Sequence, residues 1–157
     1  AVRFFRADIT EKLSSFPKFE PERFDHVFAN PPYYNEAEFA KAPDAGRALA
    51  RSLPAGALSD WVRTACALVK SGGSISFIYP ARFALRLLPL LEEKLGNIIL
   101  FPLFAKEGAE AKLMLIRATR DSKAPLQWKR GAVIHQSDNE FTPTLNAILR
   151  QGQGLVF

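Results

Sequence analysis

The chain has 157 residues, 48% of them hydrophobic, which is enough for one domain with a real core and excludes disorder as a global description. A single cysteine, Cys66, excludes an internal disulfide, and no apolar run approaches the length that spans a bilayer. The net charge of +5, with a pI near 9.6, suits a polyanionic partner such as nucleic acid.

Val2-Arg3-Phe4-Phe5-Arg6 reads as a short strand ending near Asp8, and Ile9-Thr10-Glu11 leads into a short helix or turn up to Pro17. A polar link, Lys18 to Arg23, precedes a strand at Phe24–Ala29, with apolar residues at Phe24, Val27 and Phe28. Asn35 to Ala57 is rich in Ala, Pro, Gly and charge and reads as a long loop. Leu58, Trp61, Val62, Ala65, Leu68 and Val69 then recur at helical spacing. Ser59 or Asp60 is expected to cap this helix and Gly72-Gly73 to stop it, with Cys66 a buried thiol on its inner face. Ser74–Tyr79 reads as an inner parallel strand ended by Pro80. Leu85, Leu88, Leu91 and Leu95 predict another helix face, with a kink or late start at Pro89 and an end at Gly96. Asn97–Leu103 and Ala111–Ala118 are strands too close for a helix between them, which predicts an antiparallel hairpin at the sheet edge. Beyond Arg120 the pattern gives a strand-like Ala132–His135 and a short helix near Thr144–Leu149. Alternating strands and helices mean an α/β fold with a mostly parallel sheet.

The strand at Phe24–Ala29 runs directly into Asn30-Pro31-Pro32-Tyr33. Proline lacks an N–H, fixes φ and forces the preceding residue into an extended conformation. Two in a row make a stiff loop whose carbonyls cannot join a ladder. Asn30 adds a side-chain acceptor and Tyr33 a flat aromatic face. Together these suit a planar group with an exocyclic NH2, its hydrogens given to Asn30 and the Pro31 carbonyl and its ring stacked on Tyr33.

In these residues the chain resembles the class I S-adenosylmethionine-dependent amino-methyltransferases, which carry Asn/Asp-Pro-Pro-Tyr/Phe after the fourth strand of a Rossmann-like sheet. Leu68-Val69-Lys70-Ser71-Gly72-Gly73, Ala132-Val133-Ile134-His135 and Phe141-Thr142-Pro143 extend the similarity toward the bacterial adenine-N6 methyltransferases that modify valine tRNA. The resemblance implies a cytoplasmic enzyme that uses S-adenosyl-L-methionine and acts on a nucleobase amine in tRNA, with no membrane and no obligate protein partner. It implies catalytic roles for Asn30, Pro31, Pro32 and Tyr33, and cofactor contacts for Asp8, Ile9 and Asn30. From the residues alone, Asp8 is equally a helix N-cap.

The family's Gly-rich loop after its first strand, and its acidic residue after the second, have no match here. The expectation is a sheet lacking those two strands, residues 1–120 forming the C-terminal part of the methyltransferase domain and residues 121–157 an extension packed on it. Two other readings stay open, a protein glutamine N-methyltransferase and a fragment that binds substrate without catalysis. Candidate phosphate contacts are Lys41, Arg47, Arg51 and Arg63, and a second group of Lys106, Lys112, Arg117, Arg120, Lys123, Lys129 and Arg130. His26 and His135 have no Cys or His partner at metal-ligand spacing, so no metal site is expected and a structural role is favoured for each.

Overall fold

A computed structural model describes residues 4, 6–9, 11, 24–32 and 56–157. Most of the predicted first strand, of the turn or helix toward Pro17 and of the loop from Asn35 to Ala57 lies outside the described residues, as does Tyr33. The described elements are β1 (Phe24–Ala29), α1 (Ala57–Leu68), β2 (Val69–Pro80), a 3-10 turn (Ala81–Phe83), α2 (Ala84–Glu92), β3 (Leu95–Phe104), β4 (Ala111–Arg120), β5 (Gln127–Trp128), β6 (Ala132–Val133) and α3 (Pro143–Gln151).

The strands join one mixed sheet in the order β1-β2-β4-β3-β5, with β6 also alongside β3. β1 and β2 are parallel, and β4 runs antiparallel to both β2 and β3. The short β5 and β6 both pair parallel to β3. The predicted hairpin is therefore present as β3–β4, but its second strand threads inward, beside β2.

Register fixes the two faces of the sheet, because paired residues share a face and neighbours along a strand alternate. One face carries Val27, Ile75 and Ala118 in one row and Ala29, Phe77 and Ile116 in the next. Val62, Ala65 and Cys66 of α1 and Leu87 and Leu91 of α2 belong to the same buried cluster. Each fully buried leucine or isoleucine there contributes roughly 2 kcal/mol of burial free energy. β2 is buried continuously from Gly73 to Phe77, as an inner strand should be.

The helix boundaries differ from those expected. α1 opens one turn earlier, at Gly56 with φ 90°, and Ser59 does not cap it. The Ser59 hydroxyl instead donates back to the Gly56 carbonyl at 2.6 Å, and Asp60 pairs with Arg63. α1 also stops at Leu68 rather than at the glycines, because Val69 is already extended and pairs with Phe24. Arg120, from the far end of β4, donates to the carbonyls of Cys66 and Val69 at 2.8 and 2.6 Å. That side chain satisfies acceptors a helix end leaves open. In α2 the inner face is Leu87 and Leu91, while Leu85 is 84% exposed and Leu95 belongs to β3. A 3-10 turn leads into the α-helix at Ala84, and Pro89 lies inside the helix rather than delaying its start. In the tail, His135 bridges to Phe141 instead of extending β6. Thr142 caps α3 by accepting from Leu145 N–H, and its hydroxyl donates to Val133.

Candidate active site

β1 reaches the end of the sheet at Ala29, which is buried and paired with Phe77. Asn30 follows and is exposed, Pro31 is fully buried, and Pro32 is half-buried. This order has a simple cause. The strand alternates, so Val27 and Ala29 face the helices while Phe28 and Asn30 lie on the opposite side. Pro31 then occupies the interior without bringing a donor that would need a partner. A buried, φ-locked proline fixes the exit of the chain, and the residue before it presents its side chain at the rim. The structure brings Asn30, Pro31 and Pro32 together at one strand end, as the sequence indicated.

Asp8 and Ile9 lie on a separate short segment. The Ile9 carbonyl accepts from the hydroxyl of Thr64, a buried residue in the middle of α1, at 3.5 Å. The Asp8 carbonyl accepts from Glu11 N–H at 3.2 Å, so Asp8 begins a turn with its side chain at the surface. The segment is thus tied to α1, which packs on the same sheet.

His26 sits elsewhere. Its Nδ1 is 2.6 Å from Ser74 Oγ, and Arg117 reaches the same oxygen at 3.5 Å. Arginine can only donate, so the serine hydroxyl accepts from Arg117, and its hydrogen bond with Nδ1 ties β1 to β2. Burial first, and the Arg117 charge second, hold His26 below the usual histidine range. Four residues of extended strand, about 13 Å, separate it from Asn30. His26 therefore braces the sheet and does not touch the rim. Cys66 is buried, and burial pushes its thiol up, so it is chemically quiet.

Several of the expected cations are engaged in holding the fold. Arg120 caps α1, Arg117 sits on Ser74, Arg63 pairs with Asp60, and Lys106 donates to the Ser137 carbonyl. A cavity of about 530 Å³ lies at the opposite end of the sheet, between the start of β3 and the end of β4, and is lined by acids and bases alike. It is remote from Asn30.

The rim does hold two arginines that the sequence reading passed over. The Arg82 and Arg86 guanidinium carbons stand 4.4 and 4.3 Å from the centroid of the Phe83 ring. The turn that carries Arg82 and Phe83 follows Pro80, at the same end of the sheet as Asn30. Arginines one residue before and three after a ring at a helix start reach the same aromatic, and that spacing was the available signal.

No known family model matches the chain. It is 29% identical, over 135 residues, to a tRNA1(Val) (adenine(37)-N6)-methyltransferase from Actinobacillus pleuropneumoniae serotype 5b (strain L20), and equally so to the one from serotype 7 (strain AP76). The match takes in 82% of this chain and 53% of each relative, so the chain spans about half the length of the curated relatives it matches. Its fold is similar to the crystal structure of a predicted O-methyltransferase from Agrobacterium tumefaciens, with a TM-score of 0.70, 25% identity, and coverage of 90% of this chain and 59% of that one. In sequence and in architecture the chain resembles class I methyltransferases, with the mixed α/β sheet of their Rossmann-like fold.

Proposed function

We propose that this chain carries the target-base site of an S-adenosylmethionine-dependent N-methyltransferase acting on adenine N6 in tRNA. The observation that carries the reading is the rim itself: an exposed Asn30 immediately before a buried, chain-fixing Pro31, at the end of a parallel strand. The names of the relatives support the substrate.

The target nitrogen is a poor nucleophile because its lone pair is delocalised into the ring. Asn30 Oδ1 and the Pro31 carbonyl accept its two hydrogens and favour a pyramidal nitrogen. Positioning and fixed dipoles then supply most of the rate. The excess proton leaves after transfer, so no strong base is required. Pro32 keeps the loop stiff and Tyr33 stacks on the extruded base. S-adenosylmethionine, when bound, supplies the electrophilic methyl group. Asp8 and Ile9 fit its adenine end: Thr64 anchors their segment, and the Asp8 carboxylate is at the surface. Asn30 borders both groups. Residues 121–157 form an extension of the same unit, with β5 and β6 laid on β3.

The test is Asn30→Ala in the complete protein, assayed on tRNA under single-turnover conditions. The methylation rate is expected to fall ~100-fold or more, because one preorganised polar contact at the reacting centre is lost. S-adenosylmethionine affinity is expected to change far less. A rate within a few-fold of wild type sinks the assignment. Methylation of a glutamine-bearing protein substrate, with tRNA untouched, would replace the base by a primary amide.

A further inference from the structure

Arg82 and Arg86 are both exposed, yet each guanidinium is docked on the ring of Phe83, which is only 9% exposed. Like charges four residues apart on a helix repel. A fold that nevertheless gathers two of them on one anchored ring places a concentrated, oriented positive charge there. The location is specific. β2 lies beside β1 and continues through Ile78, Tyr79 and Pro80 after its pairing with Ala29, and the turn bearing Arg82 follows directly. One strand spacing and that short run put the pair on the order of 10–15 Å from Asn30. Lys112, also exposed, adds a cation on β4, just before Leu113, the residue paired with Pro80. Glu107 and Glu110, in the loop between β3 and β4, are the acids nearest to it in sequence.

Planar guanidinium groups take phosphate through parallel N–H donors, and stacking on an aromatic holds the fork in orientation. We infer that Arg82 and Arg86 form a phosphate clamp for the RNA strand, gripping its backbone roughly three or four stacked nucleotides, at 3.4 Å each, from the base held at Asn30. This inference rests on the tRNA reading above. It adds that the strand crosses the end of β2 toward α2, and that the arginines set its register.

The test uses the complete protein and a fluorescently labelled anticodon stem-loop RNA, with binding followed by anisotropy from 50 to 200 mM salt. For the R82Q/R86Q double variant we expect an RNA Kd about 10-fold weaker at 100 mM salt. Each neutralised phosphate contributes ~0.7–0.9 to the log–log salt slope, so losing two should flatten it by about 1.4 to 1.8. S-adenosylmethionine affinity and the melting midpoint should stay near wild type, which separates the effect from unfolding. R82K/R86K keeps the charge without the planar fork and should restore most of the slope but only part of the affinity. Wild-type Kd and slope in R82Q/R86Q, with RNA still methylated by the wild type, would remove the clamp and leave the functional reading standing. Failure of the wild-type protein to bind or methylate RNA would overturn both, as would an R82Q/R86Q defect confined to an acidic protein substrate.

Discussion

Asn30 is exposed and Pro31 is buried beside it, and the roles proposed for the two predict how substitutions behave. Tyr33, whose role is argued from its side chain, offers a clean contrast with Asn30. Tyr33→Phe keeps the aromatic face and should stay within a few-fold of wild type. Tyr33→Ala should lose the roughly 1–3 kcal/mol of base stacking, read as a rise of about 5- to 100-fold in the Kd for RNA. Equal damage in the two variants would assign the role to the hydroxyl. His26 gives a prediction of a different kind. Its folded pKa lies below the ordinary value, through burial and Arg117. The unfolded state therefore takes up its proton first as pH falls. The contribution of the neutral His26–Ser74 pair is complete above pH ~6.5, the unfolded value, and is lost below it as the pH passes through the folded value. Denaturant titrations at pH 7.5 and 5.5 should show wild type losing more stability on acidification than His26→Gln. An identical pH response in the two proteins would rule the pair out.

Among the elements, strand identity was legible and helix phase was not. Phe24–Ala29 has the span read from its sequence, because Pro31 and Pro32 terminate pairing by removing donors. The start and end of α1 were misjudged because both are set from outside the helix. A left-handed Gly56 opens it, and Arg120, distant in sequence, answers its last carbonyls. The face of α2 shifted from Leu85 to Leu87 because a 3-10 turn is invisible to a periodicity of 3.6. At the end of β1, the placement of Asn30, Pro31 and Pro32 was legible in the sequence. The Arg82–Phe83–Arg86 stack was not, since it was hidden in what reads as an ordinary amphipathic run. The two glycines taken as a helix stop serve the sheet instead. A Cβ at Gly73 would stand 2.9 Å from the carbonyl oxygens of Asp25 and Lys70, and 2.7 Å from Val69 Cγ2. Gly72 has open space but a φ of +74°. Gly73→Ala should therefore cost ~2–3 kcal/mol by forcing β1 and β2 apart, and Gly72→Ala about 1 kcal/mol of backbone strain. Urea midpoints would rank them, and the reverse order would refute the packing argument.

At the scale of the whole molecule, the insertion of β4 between β2 and β3 has a consequence for the order of events in folding. The β3–β4 hairpin closes through residues near in sequence, whereas His26 and Ser74, one rung of the β1–β2 ladder, stand 48 residues apart. Loop-closure entropy must be met before distant contacts repay it, so local pairings form earlier. The hairpin should thus be structured in the transition state and should serve as the template on which β2 docks through β4, with β1 added last. In stopped-flow experiments Leu103→Ala, in the hairpin, should mainly slow refolding, with a φ-value above ~0.5. Val27→Ala, in β1, should mainly speed unfolding, with a value below ~0.3. The strand that presents Asn30 is then the last to be secured and the first to be released. Local opening at the rim becomes an event distinct from global unfolding, and hydrogen exchange would detect it as amides of β1 that exchange while those of β4 remain protected.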